Sequence, residues 1–142
     1  MKYDDASWHM GDAKSEAHAG AHIGLYFRWC LAADLVSEEH TEEEELVQEL
    51  DRVRKGELSA TEYLWENTSG KLADVDLTDD GDLFTRWFYS KRYLNLLLES
   101  VGKDAYAFTE DEVDFSRLRL HLEEAFRKWK ASPPKRPWWK LW

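Results

Sequence analysis

The alternation of apolar and polar positions divides the chain into five or six helical stretches separated by polar breaks. The most apolar stretch predicts a helix from about Ala17 to Leu35, carrying Ile23, Leu25, Tyr26, Phe27, Trp29, Cys30 and Leu31. Histidines aside, Arg28 is its only charge between Ala17 and Ala33. A helix that is apolar nearly all round belongs in the centre of a fold. With Gly20, Gly24 and Arg28 inside it and charges flanking it, it makes a poor membrane span. No other run approaches the roughly 20 apolar residues that a span requires.

Thr41-Glu42-Glu43-Glu44 reads as a capping box, followed by Leu46, Val47, Leu50 and Val53 at helical spacing and by Gly56 as a stop. Ser59-Ala60-Thr61-Glu62 reads as a second box opening a short helix with Tyr63, Leu64 and Trp65. Asn67 to Gly70 signals a turn, and Leu72, Val75 and Leu77 lie in a polar stretch read as a loop. A long helix follows from about Asp79 to Ser100, with a bend expected at Ser90 and a stop at Gly102. Tyr106-Ala107-Phe108 reads as a short extended piece. The last helix carries the stripe Phe115, Leu118, Leu122, Ala125, Phe126 and Trp129. Residues 1–16 read as an irregular arm, and the pattern contains no convincing β-hairpin. The expected fold is all-α: one bundle of five or six helices over 1–132, with a Pro/Trp-rich tail over 133–142.

Composition sharpens this picture. The chain has 142 residues, of which 43% are hydrophobic and 14% aromatic, enough for one core without a metal or disulfide. A single cysteine, Cys30, excludes an intrachain disulfide and fits a reducing compartment. The opening Met1-Lys2-Tyr3-Asp4-Asp5 has no apolar run and is not a signal peptide, so a cytoplasmic protein is expected.

The net charge is −10, unevenly distributed. From Arg127 to Trp142 there are six basic residues and no acids, which leaves the rest of the chain at −16. An acidic body repels phosphate backbones and attracts basic partners. Nucleic acid is therefore not the expected ligand, and a membrane surface ranks below a protein partner. Glu38 to Glu45 holds six Glu in eight residues. Its reading as a solvated helix start competes with its reading as a docking patch. Asp76, Asp79, Asp80 and Asp82, with Gly81, have the wrong spacing for a calcium loop and suit a helix N-terminus. The tail has three Trp in its last five residues beside Lys135, Arg136 and Lys140. It reads first as a clasp on the acidic body and second as an anchor for a partner.

Other chemistry finds less support. His18 and His22 stand four residues apart on one predicted helix, and His9 of the arm could supply a third metal ligand. No Glu lies between them as in H-E-x-x-H, and the intervening Ala19-Gly20-Ala21 suits close packing. Cys30 sits mid-helix in the most apolar segment, where a thiol is an inert filler. Phosphate loops and nucleophile elbows are missing, so no cofactor is expected.

Lys2-Tyr3-Asp4-Asp5-Ala6-Ser7-Trp8-His9 and Ala21-His22-Ile23-Gly24-Leu25-Tyr26-Phe27-Arg28-Trp29-Cys30 resemble an uncharacterised family of small acidic bacterial proteins. Leu35-Val36-Ser37-Glu38, Gly70-Lys71-Leu72, Asp76-Leu77 and Gly81 extend the similarity over roughly residues 2 to 100. The resemblance implies an immunity-type protein, encoded beside a secreted toxin and without enzymatic activity. The resulting expectation is stoichiometric capture of a basic protein toxin. The contact surface is then expected at Glu42, Glu43, Glu45, Asp79, Asp80 and Asp82, with Trp138 and Trp139 of the tail. Trp8, His9 and His22 are expected to form a structural corner joining the arm to the central helix. Two rival classes stay open. One is a metal-dependent enzyme or factor built on Asp4, Asp5, His9, His18 and His22. The other is a scaffold that self-associates through the Trp tail.

Overall fold

Twelve of the seventeen residues of α1 (Glu16–Ala32) are buried, which makes this helix the axis of the structure. The computed structural model describes residues 1–132, so the expected tail with Trp138 and Trp139 lies outside the described residues. Around α1 pack α2 (Glu44–Arg54), α3 (Ala60–Thr68), α4 (Asp79–Phe88), α5 (Leu94–Val101) and α6 (Phe115–Ala131). The chain is an all-α bundle, as the pattern predicts.

Local chemistry explains the helix limits. Ser15, Ser59, Thr78 and Asp114 each cap a helix by accepting a hydrogen bond from the backbone N–H three residues on. α1 stops at Ala32 rather than Leu35. Asp34 takes a left-handed φ of 59°, and Leu35 N–H then donates back to Cys30 O at 2.8 Å. Gly102, with φ 73°, ends α5 where the sequence places the stop. The box at Thr41 does not form. Thr41 closes a 3₁₀ turn, Glu38–Thr41, and Glu43 becomes the N-cap of α2 without a side-chain bond. The cause is His40, whose buried ring is drawn between Tyr63 and Asp76 and sets the turn earlier in the chain.

The arm is more ordered than its pattern suggests. Lys2–Asp5 forms strand β1, antiparallel to β2 (Lys71–Ala73), with Asp4 opposite Leu72 and an irregularity between Lys2 and Asp4. The strands are four and three residues long and lie far apart in sequence, so no local turn betrays the pairing. The loop read at Leu72 to Leu77 is thus a strand followed by a 3₁₀ turn, Asp74–Asp76. Tyr106 and Phe108 do not form an extended piece. Tyr106 has a left-handed φ of 66°, and Ala107 N–H turns back to Asp104 O.

The bend expected at Ser90 is a π turn, Tyr89–Tyr93, joining α4 and α5 into one rod. The extra residue of a π turn rotates the helix beyond it, and such turns recur at functional sites. Here Tyr89 and Tyr93 both face inward with stacked rings 5.2 Å apart. On the other side of the core, Trp29, Phe84, Phe126 and Trp129 interlock as aromatic neighbours, which holds α1, α4 and α6 together.

Candidate functional site

Asp4 is a buried carboxylate, which is costly unless its lone pairs are all used. They are. Oδ1 accepts from Asp5 N–H at 2.8 Å and His9 Nε2 at 2.7 Å. Oδ2 accepts from His22 Nε2 at 3.0 Å and the Tyr89 hydroxyl at 2.7 Å. Burial pushes the Asp4 carboxyl up. The hydrogen bond and charge of His22, with the bonds from His9 and Tyr89, outweigh it and hold the group well below the usual carboxylate range.

Each partner is delivered by a separate piece of backbone. Asp5 caps a 3₁₀ turn, Ala6–His9, by accepting from Ser7 N–H at 2.9 Å, and this turn folds His9 back over Asp4. His22 comes from α1 and Tyr89 from the π turn. Tyr106, held in its left-handed conformation, places its hydroxyl 2.5 Å from His9 Nδ1. The His9 and His22 rings meet edge to face at 4.7 Å. One ligand atom from each of Asp4, His9 and His22 lies within 4.8 Å of the others. These side chains, with Tyr3, Tyr93 and Tyr106, line a cavity of about 220 Å³.

The corner expected from Trp8, His9 and His22 is therefore built around Asp4 instead of Trp8, which is 59% exposed beneath the Lys2 ammonium. His18 does not join it; its Nδ1 lies 2.7 Å from the capping Ser15 Oγ. Asp5 is spent on its turn and on an ion pair with Lys2 at 3.0 Å.

Residues 2–118 match the model of a family described as Domain of unknown function (DUF7832). The chain belongs to that family. No curated protein and no solved structure matches it. The DUF7832 region contains the whole Asp4 cluster and ends in the first turn of α6. The segments 2–9 and 21–30 singled out in the sequence supply Asp4, His9 and His22.

The acids singled out by sequence lie where the pattern suggests, but not all are available. Glu42, Glu43 and Glu45 are exposed at the start of α2, and Asp79 and Asp80 in the first turn of α4. Asp82 is half-buried, bonded by the Tyr3 hydroxyl and paired with Arg86 at 3.1 Å. The fold also assembles a second acidic surface that the sequence pattern does not mark. Glu16, Glu57, Glu62, Glu66 and Asp111 border a groove of about 830 Å³ beside Arg28 and Trp65. These acids come from separate segments, so no sequence run reveals them. At the groove, buried Glu110 accepts from Ala60 N–H at 3.0 Å and from Thr61 N–H at 2.9 Å, closing the start of α3.

Among the described residues, no helix is long and apolar enough to cross a membrane. Cys30 is fully buried, and burial raises its thiol well above the ordinary value, with a smaller opposing pull from Tyr26.

Proposed function

We propose that this chain is a cytosolic immunity-type protein that neutralises a basic protein toxin by stoichiometric binding, without turnover. The observation that carries the reading is the acidic groove. Its border acids Glu16, Glu57, Glu62, Glu66 and Asp111 have no salt-bridge partner among the described residues. Exposed acids cost stability by mutual repulsion when they cluster unpaired, and a basic partner removes that cost. A groove of this size accepts an inserted loop or helix end, and Trp65 offers a flat apolar wall for an arginine stem. The acids at Glu42, Glu43 and Glu45 are equally unpaired among the described residues and extend the attractive field that steers a basic partner inward.

The test is a complex purified from the source cells with low-salt washes, followed by titration calorimetry on the isolated pair. One stoichiometric basic partner is expected. The triple variant Glu57→Lys, Glu62→Lys, Glu66→Lys should weaken it at least tenfold while its circular dichroism matches the parent. Glu42→Lys, Glu43→Lys, Glu45→Lys should chiefly slow association. Unchanged affinity in the first variant removes the groove from the mechanism.

A further inference from the structure

We propose that Asp4, His9 and His22 bind a single divalent transition-metal ion of the zinc class, with a small oxygen ligand or water on the side facing the cavity. This stands apart from the partner-binding reading and does not depend on it.

Donor chemistry comes first. Two imidazoles and one carboxylate are a recurrent three-ligand set for zinc and for ferrous iron, and they leave coordination positions open. Coordination at about 2.0–2.2 Å brings ligand atoms to roughly 3 Å from one another. His9 Nε2 lies 2.7 Å from one Asp4 oxygen and His22 Nε2 lies 3.0 Å from the other, and one ligand atom from each of the three residues falls within 4.8 Å of the others. The two Nε2 atoms address different oxygens of the same carboxylate. An ion seated among them requires each neutral ring to carry its single proton on Nδ1, which frees Nε2 to coordinate.

The supporting shell fits the same role. Ligating histidines have their other nitrogen oriented by a hydrogen-bonding partner, and ligating carboxylates are themselves bonded. Tyr106 meets His9 Nδ1 at 2.5 Å, and its hydroxyl oxygen can accept once that nitrogen carries the proton. Tyr89 and Asp5 N–H fix the Asp4 oxygens. A left-handed tyrosine costs conformational energy, which the surrounding structure must repay. At Tyr106 the hydrogen bond to His9 Nδ1 is one contact that offsets it.

The same chain contains a contrasting case. His40 is held between the Tyr63 hydroxyl at 2.6 Å and Asp76 at 2.8 Å, with both ring nitrogens occupied. Asp76 spends its second oxygen on Ala73 N–H. The His40 and Asp76 side chains are 7% and 8% exposed. That arrangement is a closed structural pin with one histidine. In the Asp4 cluster, two histidines share one carboxylate beside a cavity of about 220 Å³, and the His9 side chain is 21% exposed. A pin needs neither the second histidine nor the access.

The experiment is equilibrium dialysis of the full, untagged chain against Zn²⁺, repeated with Co²⁺ for its visible absorption. One ion per chain is expected, with a Co²⁺ spectrum of nitrogen and oxygen ligation and a melting temperature that rises with Zn²⁺. His9→Gln and His22→Gln keep a donor toward Asp4 but lose the ligand, and each should weaken binding at least tenfold. Tyr106→Phe should weaken it about tenfold through the ring it orients. His18→Gln should bind as the parent does. Where His22→Gln fails to fold, His9→Gln on its exposed turn carries the test. A folded parent that binds no Zn²⁺ overturns the proposal. So does Zn²⁺ binding that persists unchanged in folded His9→Gln.

Discussion

The Tyr89 hydroxyl donates to Asp4 Oδ2 at 2.7 Å across 85 residues of chain, tying the π turn to the first strand. Neither residue has another way to be buried cheaply. The phenol needs an acceptor, and the carboxylate needs its fourth donor. Tyr89→Phe removes that donor and leaves the ring in place. Hydrogen bonds to charged groups are worth about 1.5–3 kcal/mol, and the variant should lose stability in that range. A urea titration checks it: the midpoint should fall while the slope stays the same. An unchanged midpoint would show that Asp4 does not depend on this bond.

Gly24 lets α1 lie close against the start of α3. A Cβ there would lie 2.3 Å from Thr61 Oγ1, 2.6 Å from Glu110 Oε1 and 2.7 Å from Thr61 N. One of these is backbone and cannot swing aside. Gly24→Ala should therefore destabilise by about 1–3 kcal/mol or more, although alanine is the better helix former. Gly11→Ala, where a Cβ meets nothing within 4 Å, is the control and should shift the melting temperature little.

Glu110 adds to the Ser59 cap of α3 from outside the helix. Its carboxylate accepts from Ala60 N–H, Thr61 N–H and the Thr61 hydroxyl, all buried. Glu110→Ala strands these donors, at a cost on the order of 2–3 kcal/mol. Native-state hydrogen exchange should report it first, as faster exchange in α3 while α6 stays protected. Uniform acceleration across both helices would instead mean that Glu110 supports the whole bundle.

These contacts show which parts of the molecule a single sequence exposes. Periodicity is a local signal. It marks α1 from its unbroken apolar run and α6 from the stripe ending at Trp129. Ser59 announces α3 because its cap contacts Glu62, three residues away. The pairing of Lys2–Asp5 with Lys71–Ala73 has no such local trace. The site obeys the same rule. His9 and His22 attract notice as histidines, but His18 looks equally eligible, being one helical turn from His22. What separates them is Asp4, which selects His9 and His22 through the fold of a 3₁₀ turn, while Ser15 occupies His18. Glu110 is invisible in the sequence for want of any reason to pair it with residue 61. The Thr41 box fails because burial of His40, a tertiary effect, overrides a correct local motif.

Alkaline pH should expose how deeply the titratable groups of the core are set. Burial raises Cys30 and Tyr26 well above their ordinary values of 9.0 and 10.0, and the charges of Glu49 and Asp76 add to burial in raising Tyr63. In the unfolded chain these groups ionise first, so the unfolded state binds fewer protons once the pH passes their ordinary values. Stability is then fully present below about pH 9 and declines as pH rises further. Urea midpoints taken from about pH 8 to about pH 11 should fall along this course. The same burial makes Cys30 unreactive. A thiol reagent at neutral pH should modify no cysteine in the folded chain and one after urea unfolding. Rapid labelling of the folded protein would place Cys30 in a locally opening segment, which the enclosed position of α1 argues against.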